Sequence, residues 1–351
     1  MKRLRASILR WYLAHRRDLP WRRTRDPYAI WVSEIMLQQT RVETVVPYYE
    51  RFLRRFPTVA ALARAREADV LAAWSGLGYY SRARNLHEAA AVLARETAAE
   101  LPRDREALRA LPGIGDYTAG AIASVAYGEQ AAAVDGNVIR VLARIHGLRG
   151  RRDAPSLRRE VTRLAEALAE GPRPGDWTQA LMELGATVCL PRAPRCDACP
   201  AARRCAARRS GAPERFPGGA SPKEPRAERR ILILVRSRGR VLLVRDGSPR
   251  RLAWTLPEMV VPGRASARRA AEAAAGSLGI PAGLLAGPSA KFRHRTFSHA
   301  IAFEVWVAEG GPDRGADARW VRPRDLSKLP VRGPTLKAIR ALGAGPARRT
   351  P

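Results

Sequence analysis

Lysine is almost missing from this chain. Of 63 basic side chains only five are lysines, and none lies between Arg3 and Pro222. That long stretch therefore offers no ε-amine for Schiff-base chemistry. Cysteine is equally sparse: four residues, all between Cys189 and Cys205. They are too few and too bunched for the disulfide framework of a secreted protein and suit a metal group in a reducing compartment. No run approaches the roughly 20 apolar residues that cross a bilayer, so no membrane partner is expected. The start, Met1 to Arg5, is basic without an apolar run behind it and does not read as a signal peptide. Acidic residues are also short, 33 against 63 Lys and Arg, leaving a formal charge of +30. A GC-rich coding bias fits the preference for arginine. An excess this large still repels itself unless a polyanion neutralises it, which points to nucleic acid and to binding that weakens steeply with salt. A bacterial-type protein of the cytoplasm, associated with the nucleoid and acting as a monomer, is expected.

The 351 residues suffice for two ordinary domains. Helical periodicity dominates from about Ser7 to Cys205, broken at Phe56-Pro57, Leu101-Pro102 and Gly171-Pro172. Residues 210–228 read as a linker, with Gly-Ala-Pro and Pro-Gly-Gly near its start. Beyond it Ile231 to Val235 and Val241 to Arg245 predict a β-hairpin, Ser266 to Ser277 a helix, and Ala300 to Val307 another strand. The fold class is thus an all-α domain followed by an α+β domain, with no solenoid-type repeat.

Four local patterns carry chemistry. The spacing Cys189-x6-Cys196-x2-Cys199-x5-Cys205 gives four thiolates, enough for a [4Fe–4S] cluster or a zinc ion. Structural zinc sites usually show two short cysteine pairs, and here there is one. Leu111-Pro112-Gly113-Ile114-Gly115-Asp116-Tyr117-Thr118 is a glycine turn between helical segments, its backbone N–H groups able to approach a phosphate. Ile114 would plug the space between the two helices, and the small Ala119, Gly120 and Ala121 permit close packing. Asp135, in Val134-Asp135-Gly136-Asn137, reads equally as a helix N-cap and as a functional carboxylate, and capping would keep it ionised. Glu34 follows the start signal Asp26-Pro27 and has Ile30, Trp31 and Leu37 as helical neighbours. A carboxyl group on that face is either desolvated, with a raised pKa suited to a general acid, or at the edge of the face in water.

The glycine turn and the 6-2-5 cysteine spacing resemble the endonuclease III superfamily of DNA base-excision enzymes. Trp31-Val32-Ser33-Glu34-Ile35-Met36-Leu37-Gln38-Gln39-Thr40 and Gly76-Leu77-Gly78-Tyr79-Tyr80-Ser81-Arg82-Ala83-Arg84-Asn85-Leu86 closely resemble segments of the adenine DNA glycosylases, the MutY family. The resemblance implies a helix-hairpin-helix glycosylase domain at 1–209, its helical barrel about 26–131 and an iron–sulfur subdomain made from the N-terminal segment with 132–209. It implies a structural [4Fe–4S] cluster on the four cysteines, flanked by Arg192, Arg195, Arg203 and Arg204 for phosphate contact. Glu34 would protonate adenine at N7, and Asp135 would stabilise the sugar cation. Tyr117 and Asn137 would orient them. Trp21, Arg22, Leu37 and Gln179 match positions of the base pocket, and Gln38 and Tyr79 match residues that wedge into the base stack. Gly113, Gly115 and Thr118 would hold DNA phosphate. Strand-cutting superfamily members carry a lysine where this chain has Tyr117, so a monofunctional enzyme that leaves an abasic site is implied. Ile139 also stands where some members place a lysine.

The C-terminal stretch 229–345, with Trp254-Thr255-Leu256-Pro257-Glu258, looks Nudix-like, yet Glu272 is the only acid between Gly263 and Phe297. The glutamate cluster that holds magnesium in Nudix hydrolases is absent, which leaves a recognition role. Phe297-Ser298-His299 matches the loop by which the family reads 8-oxoguanine opposite the adenine. The expected substrate is therefore double-stranded DNA with adenine opposite 8-oxoguanine, or opposite guanine. Three rivals remain: a glycosylase for oxidised pyrimidines or for thymine opposite guanine, a non-catalytic damage binder, and a Nudix hydrolase with a helical appendage. The Glu34 helix, the presence of both Glu34 and Asp135, and the missing acids argue against them in turn.

Overall fold

A computed structural model describes residues 2–219, 225–245, 253–296, 298–310 and 317–343. By spatial proximity the chain divides into two compact units, 1–64 with 85–222, and 65–84 with 223–351. The helices in chain order are α1 (Lys2–His15), α2 (Pro27–Leu37), α3 (Val42–Arg55), α4 (Val59–Arg64), α5 (Glu67–Ala73), α6 (Ser81–Glu96), α7 (Arg105–Ala110), α8 (Asp116–Ala126), α9 (Gly136–His146), α10 (Pro155–Ala169), α11 (Pro174–Thr187), α12 (Ala206–Arg209), α13 (Ala267–Gly276) and α14 (Gly333–Ala341). Among the described residues no helix is long and apolar enough to cross a membrane.

In the first unit α2 is the central helix. Asp26 caps it, accepting a hydrogen bond from the Tyr28 N–H at 3.0 Å, and Pro27 supplies the preset φ of a first helical position. Every residue from Tyr28 to Met36 is buried, so the helix has no solvent stripe and packs against α3 on one side and α8 on another. Ala119, Gly120 and Ala121 of α8 are buried as their small size requires. A separate core joins α1 to α9, α10 and α11 through Leu4, Ile8, Tyr12, Val138, Leu142, Leu164 and Leu184. Arg5 fastens α1 there: its guanidinium donates to the Leu168 and Pro172 carbonyls at 3.1 and 2.6 Å and lies 5.5 Å from the Trp177 ring.

The second unit is built on a seven-stranded sheet. Its strands are β1 (Arg226–Ser237), β2 (Arg240–Arg245), β3 (Trp254–Thr255), β4 (Glu258–Val261), β5 (Leu285–Arg295), β6 (His299–Glu309) and β7 (Ala318–Val321). The main path runs β3-β2-β1-β6-β5, with β4 pairing β1 and β7 pairing β2. β1 and β6 are parallel, from Arg226 opposite His299 to Arg236 opposite Glu309. The apolar run in β1 is continuous because both faces are covered. Leu232 and Leu234 share a cluster with Phe303, Leu326 and Ile339, while Ile231, Ile233 and Val235 pack with Ala271 and Ala275 of α13. The expected hairpin, helix and following strand are thus present. β1 starts at Arg226, inside the stretch read as linker, since pairing with β6 tolerates its charged first residues.

Candidate active site

Glu34 points from the middle of α2 into a pocket of about 250 Å³ inside the first unit. Trp21, Arg22, Glu34, Leu37, Tyr117, Asp135, Asn137 and Gln179, which the sequence assigns to the reacting groups and the base pocket, all line it. Glu34 is 9% exposed, so the reading of it as a solvated edge residue does not hold. Tyr117, in the first turn of α8, donates its phenol to Glu34 Oε2 at 2.8 Å. Burial pushes the Glu34 carboxyl up to about 7, and the charge of Asp135 adds to the rise; the Tyr117 hydrogen bond and Arg22 oppose it. Burial also lifts Tyr117 well above the usual phenol range, which keeps its hydroxyl a donor.

Asp135 sits in a different environment. It is the N-cap of α9: Oδ1 accepts from the Val138 N–H at 2.7 Å and Oδ2 from Asn137 Nδ2 at 2.8 Å. The cap does not keep its pKa at the ordinary value. Burial raises it, and the hydrogen bonds and Arg140 only reduce that rise. Asn137 is itself held, accepting from Arg140 at 2.8 Å, while the same guanidinium donates to the carbonyls of Gly185 and Cys189 at 2.8 and 2.7 Å.

The facing wall comes from α11 and the segment after α1. Glu183, 1% exposed, accepts from Arg17 Nε and Nη2 and from Arg22 Nη2, all at 2.8 Å. Burial alone would raise this carboxyl; the two arginines outweigh it and bring it down to about 2. Tyr12 donates to Gln179 Oε1 at 3.1 Å, which leaves the Gln179 amide nitrogen as its donor side. The pocket thus combines a proton-bearing carboxyl, a hydrogen-bonded carboxylate and a fixed ion network beside an apolar wall of Trp21, Ile30 and Leu37.

Residues 32–167 match the family described as HhH-GPD superfamily base excision DNA repair protein. The chain is 46% identical over 214 residues to the adenine DNA glycosylase of Mycolicibacterium smegmatis (strain ATCC 700084 / mc(2)155), a match covering 61% of this chain and 71% of that protein. It is 47% identical over 213 residues to the adenine DNA glycosylase of Homo sapiens, covering 58% of this chain but 39% of the human protein, less than half its length. Among solved structures, that of a thermostable thymine-DNA glycosylase aligns with a TM-score of 0.53 at 32% identity, over 58% of this chain and 96% of that one. The chain belongs to the adenine DNA glycosylase family. Its helical part has the helix-hairpin-helix glycosylase fold, followed by the β-sheet unit.

Other residues singled out in the sequence lie outside the pocket. Gly113 (φ +79°) and Gly115 form the turn between α7 and α8, with Ile114 buried beneath it. Thr118 is 2% exposed, and its N–H belongs to the first turn of α8, whose amides have no intrahelical acceptor. Gln38 is half-buried at the end of α2. In the second unit Ser298 Oγ lies 2.9 Å from His299 Nδ1, and the His299 N–H donates to Thr296 Oγ1 at 3.0 Å. Phe297 lies outside the described residues.

The four cysteines are half-buried and unpaired by disulfides. Burial first, then the neighbouring thiols, raises Cys196, and burial pushes Cys199 up to about 11. Among the described residues no three His, Cys, Asp or Glu side chains form a group that could hold a single metal ion. The loop folds around Arg144, 3% exposed, whose guanidinium donates to the carbonyls of Leu190, Pro191 and Phe216 and reaches Cys189 Sγ at 3.4 Å. Arg192, Arg195, Arg203 and Arg204 are exposed.

Arg17 and Glu183 escape sequence reasoning because 166 positions separate them. The one available signal is that Glu183 follows Gln179 by a helical turn, so both face the same way.

Two outcomes follow from this geometry. Glu34 has a folded pKa above its unfolded value, so its contribution to stability is present below about pH 4.5 and is lost as the pH rises through about 7. Replacing Glu34 with Gln should therefore raise the free energy of unfolding at pH 8 by on the order of 3 kcal/mol, and far less at pH 5, as denaturant unfolding would show; an equal effect at both pH values would contradict the burial argument. Gly185 allows α11 to meet Asn137, where an added Cβ would stand 2.6 Å from Asn137 Cβ. Gly185→Ala should destabilise by about 1–3 kcal/mol in denaturant unfolding.

Proposed function

We propose that this protein is a monofunctional DNA glycosylase that removes adenine opposite 8-oxoguanine, with adenine opposite guanine as a second substrate. One observation carries the chemistry: buried Glu34 and half-buried Asp135 line a single pocket, and burial pushes the pKa of Glu34 up to about 7. A buried target atom obliges the enzyme to extrude the base from the duplex. Glu34, protonated, donates to adenine N7. The C1′–N9 bond then breaks, its electrons passing to the protonated base, and the Asp135 carboxylate stabilises the oxocarbenium-like sugar. Water adds at C1′ and loses its proton to Glu34, which restores the starting state. Tyr117 fixes the Glu34 carboxyl and Asn137 fixes Asp135. Trp21, Leu37, Arg22 and Gln179 supply the base pocket, while Gln38 and Tyr79 enter the stack.

Strand cleavage by β-elimination needs an amine, and Tyr117 occupies the hairpin position where a lysine would serve. The product is an abasic site. The four cysteines are a suitable donor set for a [4Fe–4S] cluster, and Arg144 and Arg140 brace that loop through its carbonyls. The cluster would fasten the loop, presenting Arg192, Arg195, Arg203 and Arg204 to the DNA backbone. Gly113 and Gly115 with the first-turn amides of α8 would hold a further phosphate.

The β-sheet unit, read as Nudix-like, would recognise 8-oxoguanine through Phe297, Ser298 and His299. It carries no acidic cluster for magnesium in the region a Nudix enzyme would use, which supports recognition over hydrolysis. Double-stranded DNA is the expected partner, bound by a monomer in the cytoplasm.

Single-turnover release from duplexes with A:8-oxoguanine, A:G and A:T should be fast, slower and absent, with strand breaks only after alkali. The rate should fall as the pH rises through about 7, since Glu34 must carry a proton to donate it. Binding without release would make the protein a damage sensor, and breaks without alkali would end the monofunctional reading. Ser298→Ala with His299→Ala should lower the A:8-oxoguanine to A:G rate ratio by about tenfold or more, two lost polar contacts at about 1 kcal/mol each; an unchanged ratio would mean the module is misassigned.

A further inference from the structure

Tyr79, in the second unit, is 46% exposed and its backbone is left-handed, with φ +49°. A tyrosine in that conformation is strained and persists only where its surroundings over-determine it. They do so here from two sides. Trp74 Nε1 and the Arg82 guanidinium both donate to the Gly78 carbonyl at 3.2 Å, and that guanidinium lies 5.4 and 5.7 Å from the rings of Trp74 and Tyr79. On the other side Tyr80 donates its phenol at 2.9 Å to the carbonyl of Val331, 251 residues further along the chain.

Val331 is a fixed anchor. It forms a β-bridge with Trp254, whose N–H donates to the Pro330 carbonyl at 2.7 Å, while the Arg332 N–H donates back to Trp254 at 2.9 Å. The Arg332 guanidinium shares Glu258 with Arg230 of β1. β1 begins at Arg226, whose N–H donates to the Ser298 carbonyl at 2.9 Å. A continuous set of bonds and strand backbone therefore runs from an exposed aromatic ring to the Ser298–His299 end of the sheet.

We infer that Tyr80 is a positioning residue: its bond to Val331 couples insertion of Tyr79 into the base stack to reading of the opposite base at Ser298 and His299. This rests on the function proposed above. The hinge it must restrain is on the page, since Gly76 (φ +104°) and Gly78 (φ +71°) flank the loop and would let Tyr79 swing away once Tyr80 is released. A tyrosine hydroxyl suits the task because it reaches a backbone carbonyl that substitutions leave in place.

Tyr80→Phe in the full chain removes only the hydroxyl. Release of adenine opposite 8-oxoguanine should slow by about three- to tenfold, the effect of one hydrogen bond, while release opposite guanine changes by less than about twofold. In a Tyr79→Ala background the same substitution should have no further effect. Equal slowing on both duplexes, additive effects of the two substitutions, or no change at all would overturn the coupling. A second readout does not depend on excision: 2-aminopurine placed beside the target adenine brightens when a side chain unstacks it. Tyr80→Phe should diminish that gain on the 8-oxoguanine duplex, and an undiminished gain would refute the inference even if wild-type protein released no adenine. Failure of the wild type to release adenine, with the fluorescence effect intact, would instead count against the proposed reaction alone.

Discussion

The pocket depends on one carboxyl group buried with a single hydrogen-bond donor. Glu34 meets the Tyr117 phenol and no backbone N–H among its described bonds, so its charged form is disfavoured and its proton is retained near neutrality. The surrounding fold is arranged to keep that situation stable. α2 is buried from Tyr28 to Met36, which shuts out water, and its own cap lies two residues ahead at Asp26, away from Glu34. Asp135 is half-buried and better supplied with hydrogen bonds: two donors compete with desolvation there, where Glu34 has one. Two carboxyl groups in one cavity thus acquire separable roles from their local donors, the condition under which an acid and an electrostatic stabiliser can coexist.

Arginine does the structural work that this lysine-poor stretch cannot give to an amine. A planar fork with five N–H groups can satisfy several carbonyls at once, and a lysine cannot do so in fixed geometry. Arg144 serves two carbonyls of the cysteine loop and that of Phe216 beyond it; Arg140 joins Asn137, Gly185 and Cys189; Arg5 ties α1 to Leu168 and Pro172. Arg17 and Arg22 take up the buried Glu183, which would otherwise be a costly unpaired charge. The pocket wall is therefore held by ion pairs between the segment after α1 and α11, which are distant in sequence.

That distance explains what the sequence disclosed and what it did not. Glu34, Tyr117 and Asp135 each stand in a short local signal: an apolar helix, a glycine turn, a cap. The cavity in fact brings those three together. Glu183 has no such signal, because its meaning comes from Arg17 across 166 positions. β5 escaped notice because most of its residues are exposed, and Gly287 and Pro288 interrupt it before the basic stretch from Lys291. The apolar β1 and β6 were legible because both of their faces are buried.

The same division sorts the charge. Cations that are buried meet carbonyls or carboxylates of the chain itself: Arg5, Arg140 and Arg144 are examples. Those around the cysteine loop, Arg192, Arg195, Arg203 and Arg204, are exposed. The acids that remain at the surface often pair locally, as Asp18 does with Arg23, Asp69 with Arg66 and Glu160 with Arg163. Such pairs cancel charge where they form and contribute little stability. The uncancelled excess is then left to the exposed basic loops, where released counterions would make DNA binding strong at low salt and weak at high salt. Under the proposed function, an arginine-rich composition would thus serve two purposes that burial separates: bracing the pocket from within and attracting the polyanion from without.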